Sequence, residues 1–161
     1  MTVRVPPKGT RGIPFPRLPG FLARRVSRMQ LGGFRKRGGG RTRGGLPALV
    51  LHTVGARSGE PRTAMLGYVE DGPGAWFVVA SLAGSARNPG WLYNLANEPR
   101  AEVELADGTR RPVVARTLED AELEAAWRRF ETEGREYVEY LSKTDRQLPV
   151  VRLETMERDA A

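Results

Sequence analysis

The chain has 161 residues, enough for one domain with a real core and too few for two ordinary ones. It has no cysteine, which excludes disulfides, thiolate nucleophiles, iron–sulfur clusters and cysteine-ligated zinc, and its single histidine, His52, excludes a histidine-rich metal site. The net charge of +7 is unevenly spread: thirteen of the 26 Lys and Arg residues precede Glu60, the first acid, and the rest of the chain sets 13 bases against 19 acids, so one end is built to meet an anion.

Residues 1–20 hold Pro6, Pro7, Pro14, Pro16 and Pro19, which no helix interior or central strand accepts, and read as an extended arm. Over residues 21–34 the pattern turns helical. Leu18, Leu22, Val26 and Met29 fall near one face and Arg24, Arg25 and Arg28 lie largely off it, predicting a short basic amphipathic helix. Residues 35–45, all bases and glycines but for Thr42, read as a flexible basic linker. Strands are expected at 46–54, 63–70, 75–81, 101–105, 110–116 and 148–153. Asp71-Gly72-Pro73-Gly74 and Asp107-Gly108 supply hairpin signals. Helices are expected at 89–97 with Asn88 as N-cap, at 119–131 and at 135–142. Six strands with mainly hairpin links predict a mainly-β protein with helices (α+β), folded as a closed or split antiparallel barrel, because closure removes exposed edges. The organisation expected is a basic arm and amphipathic helix over 1–45 and a barrel over 46–161. No run approaches the roughly 20 apolar residues of a membrane span and no signal-peptide pattern is seen, so a cytoplasmic protein is expected.

Two segments carry chemistry. Residues 55–62 join two core strands, and there Arg57, Ser58, Arg62 and the following Thr63 offer two guanidinium forks and two hydroxyls for phosphate or carboxylate oxygens; a solvated turn with surface arginines is the alternative. Residues 80–95 run from a strand end through Ser81 and Ser85 to a helix start, where free amides suit a carbonyl-rich ring edge or an anion. Trp91 and Tyr93 would wall a planar ring, or Trp91 and Leu95 would simply pack the helix onto the barrel. Tyr137 and Tyr140 share a helix face and could donate a hydrogen bond or proton to a developing oxyanion, or serve as packing. His52 reads as a hydrogen-bonded barrel histidine rather than a catalytic one.

The order Thr53-Val54-Gly55-Ala56-Arg57-Ser58-Gly59-Glu60-Pro61-Arg62, then Val79-Ala80-Ser81, then Asn88-Pro89-Gly90-Trp91-Leu92-Tyr93-Asn94-Leu95, then Tyr137-Val138-Glu139-Tyr140 and Thr144-Asp145-Arg146, closely resembles the deazaflavin-dependent nitroreductase and quinone reductase family of actinobacteria. The resemblance implies an FMN-binding split-barrel fold and an oxidoreductase that passes a hydride from reduced coenzyme F-420, an 8-hydroxy-5-deazaflavin with a phosphate and an oligoglutamate tail, to a quinone, nitroaromatic or other activated acceptor. FMN is the lesser cofactor alternative. By the family pattern Arg57, Ser58, Arg62, Thr63, Ala64 and Met65 would hold the phosphate and tail side, while Val79, Ala80, Ser81 and Leu82 with Gly90, Trp91, Leu92, Tyr93 and Asn94 would line the ring and linker. Tyr137, with Tyr140 nearby, would sit over the acceptor as the catalytic groups. Ala56 stands where relatives often carry a second base, which makes the clamp leaner. The competing reading is a non-catalytic flavin, haem or lipid-binding barrel whose basic arm docks to membrane or nucleic acid. Residues 1–45 are open to two roles, peripheral contact with the inner face of the membrane or cover over one open end of the barrel, and nucleic acid is not expected; monomer and homodimer both stay open.

Overall fold

The computed structural model describes residues 2–156; Met1 and residues 157–161, the last of which belong to the expected barrel segment, lie outside the described residues. In chain order the elements are α1 (Gly20–Arg37), β1 (Ala48–Val54), β2 (Pro61–Gly67), β3 (Val69–Glu70), β4 (Ala75–Val79), a short 3-10 turn (Leu82–Gly84), α2 (Gly90–Asn97), β5 (Arg100–Glu104), β6 (Arg110–Thr117), α3 (Asp120–Glu133), α4 (Arg135–Leu141) and β7 (Val150–Thr155). No helix among the described residues is long and apolar enough to cross a membrane.

The seven strands form one sheet in the order β2-β1-β5-β6-β7-β4-β3, every neighbouring pair antiparallel. The single strand expected over 63–70 is two strands, parted at Tyr68, and they occupy opposite edges of the sheet. One residue cannot span an open seven-stranded sheet, whose strands are roughly 5 Å apart. The two edges must therefore lie side by side, and the sheet is rolled into a split barrel. β1–β2, β3–β4 and β5–β6 are tight hairpins, and the long link through α3–α4 also joins adjacent antiparallel strands, β6 and β7; the link through α2, from β4 to β5, is a crossover.

Period-2 alternation sorts the side chains. Leu49, Leu51, Trp76, Val78, Val103 and Val151 point into the barrel with Trp91, Leu92 and Leu95 of α2. The intervening Phe77, Val79 and Val150 point outward and are covered by Phe130 of α3 and Tyr137 of α4. Ala48 and Val50 lie under Phe34, the one buried residue of α1. The apolar residues that marked the amphipathic helix do not face the barrel: Leu18, Phe21, Leu22, Val26 and Met29 remain exposed.

Two further expectations are corrected. Residues 35–45 are not a flexible linker: Arg35 to Arg37 are the last turn of α1, and the rest is a bonded connection, with Gly39 N–H donating to Phe34 O (2.8 Å), Thr42 N–H to Leu46 O (2.8 Å) and Ala48 N–H to Gly40 O (2.9 Å). Asn88 does not cap α2, since Pro89 holds the cap position and the Asn88 amide is bonded elsewhere. Residues 2–15 are extended as expected and form a strap stitched across the molecule. Val3 is buried in the barrel core, Thr117 N–H donates to Thr2 O (3.2 Å), Gly9 N–H to Ala86 O (2.9 Å) and Ile13 N–H to Gly84 O (2.9 Å).

Candidate functional site

The loop between β1 and β2 is closed on itself: Gly55 N–H donates to Glu60 O (2.8 Å) and Gly59 N–H to Gly55 O (2.9 Å), with Gly59 in the left-handed region that favours glycine (φ +70°). Ser58 Oγ accepts from Glu60 N–H (3.2 Å) and from Arg62 Nη2 (3.3 Å), and Arg62 Nη1 also meets the Glu60 carboxylate at 3.2 Å. From α2, Asn94 fastens the loop, accepting from Ala56 N–H and donating to Thr53 Oγ1, each at 3.0 Å.

Beside this loop opens a basin of about 720 Å³ whose charged lining is Lys8, Arg17, Arg57, Arg62 and Arg87; none of the described residues lining it is acidic. Three of the five cations come from outside the loop. Lys8 and Arg17 belong to the N-terminal arm, and Arg87 is held against it by a bond to Phe15 O (2.9 Å) and by stacking over the Phe15 ring at 6.0 Å. Such a concentration of guanidinium groups is suited to a polyanion.

A second cleft, of about 710 Å³, shares Arg62, Gly90 and Asn94 with the basin and continues from it. Its walls are Thr63 to Gly67 of β2, residues 81–83, Gly90 and Trp91, the Ala23, Ser27 and Gln30 side of α1, and Glu136, Tyr137 and Tyr140 of α4. Tyr137 packs edge-on against Phe130 (5.7 Å between centroids) and Tyr140 (6.0 Å). Burial pushes the Tyr137 hydroxyl far above its ordinary pKa, Glu136 and Tyr140 adding to the rise against the opposing pull of the Gly67 amide. Tyr140 is raised too, by burial first and then by Glu136, with Arg43 opposing. Both therefore stay protonated across ordinary pH and keep an O–H to donate. Glu136 itself accepts a hydrogen bond from the Thr42 hydroxyl.

Of the residues singled out in the sequence, Arg57, Ser58, Arg62 and Tyr93 line the basin, and Thr63, Ala64, Met65, Val79, Ser81, Leu82, Gly90, Trp91, Tyr137 and Tyr140 line the cleft. Asn94 borders both, but its amide is engaged within the protein. Ala80 and Leu92 are not brought to the site: both side chains are fully buried in the barrel core, because they fall on the inward side of the strand end and of α2. Sequence reasoning missed Lys8, Arg17, Arg87, Ser27, Gln30, Thr42 and Glu136. The one signal for the first two was the absence of acids before Glu60.

The rolled sheet and the cation-lined basin running into an aromatic cleft define a split-barrel protein with one continuous ligand groove. The family model for "F420H(2)-dependent quinone reductase" matches residues 26–155, and the chain belongs to that family. A F420H(2)-dependent quinone reductase of Mycobacterium tuberculosis is 39% identical over 117 residues, covering 70% of this chain and 76% of the relative. A putative F420H(2)-dependent quinone reductase of the same species is 33% identical over 124 residues, covering 76% and 96%. Among solved structures, a F420-H2 dependent reductase superposes with a TM-score of 0.60 at 35% identity, covering 66% of this chain and 93% of that one. A second, described as a domain-swapped dimer, gives a TM-score of 0.62 at 30% identity, covering 83% and 97%.

Proposed function

We infer that this chain is an oxidoreductase that takes a hydride from reduced coenzyme F-420 and delivers it to a quinone-like acceptor, nitroaromatics and other activated acceptors being the further candidates. The observation that carries this reading is the junction of an acid-free basin holding five cations with an aromatic cleft, since a planar ring bearing a phosphate and an oligoglutamate tail needs both in sequence. When bound, the deazaflavin supplies the hydride; the chain supplies position and charge.

Arg57, Ser58 and Arg62 would hold the phosphate, and Lys8, Arg17 and Arg87, which line the same basin, would meet the tail. Thr63, Ala64, Met65, Val79, Ser81, Leu82, Gly90 and Trp91 bound the ring. Tyr137 and Tyr140, kept protonated, donate to the oxygen that becomes anionic as the acceptor is reduced. In this reading residues 46–161 form the cofactor domain, while the strap and α1, within residues 1–45, complete the groove. The outward face of α1, with Phe21, Leu22, Val26 and Met29 exposed around Arg25, while Arg24 turns to Glu60 and with Arg28 borders β2, supports peripheral contact with the anionic inner face of the cytoplasmic membrane, the side from which a lipophilic quinone arrives.

Fluorescence titration of the protein with F-420, FMN and haem in parallel tests the assignment. F-420 is expected to bind at micromolar level or tighter, and the reduced form to be oxidised by menadione. Charge reversal at both Arg57 and Arg62 is expected to weaken binding by about 100-fold or more, since each charged contact is worth roughly 1.5–3 kcal/mol. Binding of FMN or haem in preference to F-420 overturns the reading.

A further inference from the structure

Thr144, Asp145 and Arg146 lie between α4 and β7, outside both clefts. Arg146 is only 4% exposed. Its guanidinium is spent mainly on one loop: Nε donates to Ser85 O (3.0 Å), Nη1 to Ala80 O (3.0 Å) and to Asn88 Oδ1 (3.0 Å), and Nη2 to Ser81 O (2.8 Å), while Nη1 also meets the neighbouring Gln147 O (3.2 Å). Among the described residues none of these partners is a carboxylate. A buried cation without a counter-charge is costly, and burial lowers its pKa accordingly. Such a group persists only where its hydrogen bonds do something the fold requires.

The loop it grips is strained. Leu82 and Ala83 both sit at positive φ, +41° and +53°, followed by Gly84 at +79°. Glycine adopts this region freely, whereas residues with a β-carbon do so only when their surroundings over-determine them. The three carbonyls bound by Arg146 bracket that run on both sides. Leu82 and Ala83 line the cleft, and Gly84 backs onto Tyr140, whose Cδ1 lies 3.3 Å from where a β-carbon on Gly84 would be.

We propose that Arg146 is a positioning residue of the reaction: by binding the carbonyls of Ala80, Ser81 and Ser85 it holds residues 82–84 in their left-handed conformation and so fixes the wall of the ring cleft beside Tyr140. The proposal rests on the reading of that cleft as the deazaflavin site. It predicts a coupling that packing alone does not. Relieving the strain makes the clamp less necessary, so Ala83→Gly recovers what Arg146→Lys loses.

Arg146→Lys, Ala83→Gly and the double variant are compared by F-420 titration, by thermal melting and, without cofactor, by hydrogen exchange of the amides of residues 82–87. Arg146→Lys is expected to weaken F-420 at least tenfold, and to speed exchange in the loop while the melt stays cooperative. Ala83→Gly in that background is expected to recover at least fivefold in affinity and to slow the exchange, an effect larger than the same change makes in the native chain. Equal effects of Ala83→Gly in the two backgrounds overturn the proposal. Should Arg146→Lys not fold, Ala83→Val in the native chain takes its place: it worsens the left-handed strain with Arg146 intact, and unaltered loop exchange refutes the idea. Native protein that fails to bind F-420 defeats the cofactor reading, while the exchange coupling still decides the role of Arg146.

Discussion

Glu104 on β5 is 2% exposed, and its carboxylate gathers two elements at once: the fork of Arg35, from the last turn of α1, at 2.8 and 2.9 Å, and Nε2 of His52 on β1 at 3.0 Å. The Arg35 hydrogen bonds hold it at a pKa of about 2, against burial, with His52 assisting. A carboxylate held below its unfolded value of 4.5 stabilises the fold fully above about pH 5, and that contribution fades as the pH falls toward 2. Glu104→Gln is expected to cost about 2 kcal/mol near neutrality, a figure discounted because the Arg35 side chain is half exposed. The variant's denaturant midpoint is also expected to vary less between pH 5 and 2; a curve parallel to the native one counts against this role. At this scale the candidate site was legible where its residues lie close together in the chain. Arg57, Ser58 and Arg62 share one short loop, Tyr137 and Tyr140 one helical turn, and each set falls on one groove. It was opaque for Lys8, Arg17 and Arg87, which meet only through contacts spanning tens of residues.

The strap is the element that the sequence described and could not place. Prolines make it extended, but nothing local says what it lies on. Asp145 receives it, accepting from Thr10 and Arg11 N–H at 2.9 Å each and from the Thr10 hydroxyl, while Thr144 Oγ1 donates to Arg11 O (2.8 Å). Those bonds, the Thr10 side chain first, hold the Asp145 carboxyl below its ordinary range. The latch is thus intact at neutral pH and is lost as acid protonates it. Asp145→Ala is expected to release Lys8 and Arg17 from the basin and to reduce the advantage of oligoglutamate-bearing F-420 over its tail-less core severalfold, while the core itself binds nearly as before. Comparing the two ligands by titration checks this, and an equal loss for both rules it out. The strands show the same limit. The hairpin dipeptides were readable, whereas the break at Tyr68, which sends β2 and β3 to opposite edges, is dictated by barrel closure and leaves no local signal.

Over the whole molecule the charge asymmetry acquires a geometry. The acid-free first third supplies cations both to the basin and to the outward face of α1, so one stretch of chain lines the groove on one side and leaves basic and apolar side chains exposed on the other. Flotation with vesicles containing about 30% anionic lipid is expected to carry the native protein and to leave behind a variant with Phe21, Met29, Arg25 and Arg28 changed to Ser, each basic residue being worth on the order of 1 kcal/mol at such a surface. Equal flotation of both removes α1 from that role. The strap also bears on how the molecule comes into being. Its anchors lie far along the chain: Asn88, 82 residues from Pro6, then Thr117 of β6, 113 residues from Arg4, and Asp145, 135 residues from Thr10. Such distant partners give the strap a high contact order, so its docking completes only once the 84–88 loop, β6 and the segment before β7 are all in place. Until that point the cations of the strap are not yet gathered at the basin, and the groove is finished later than the hairpins that floor it.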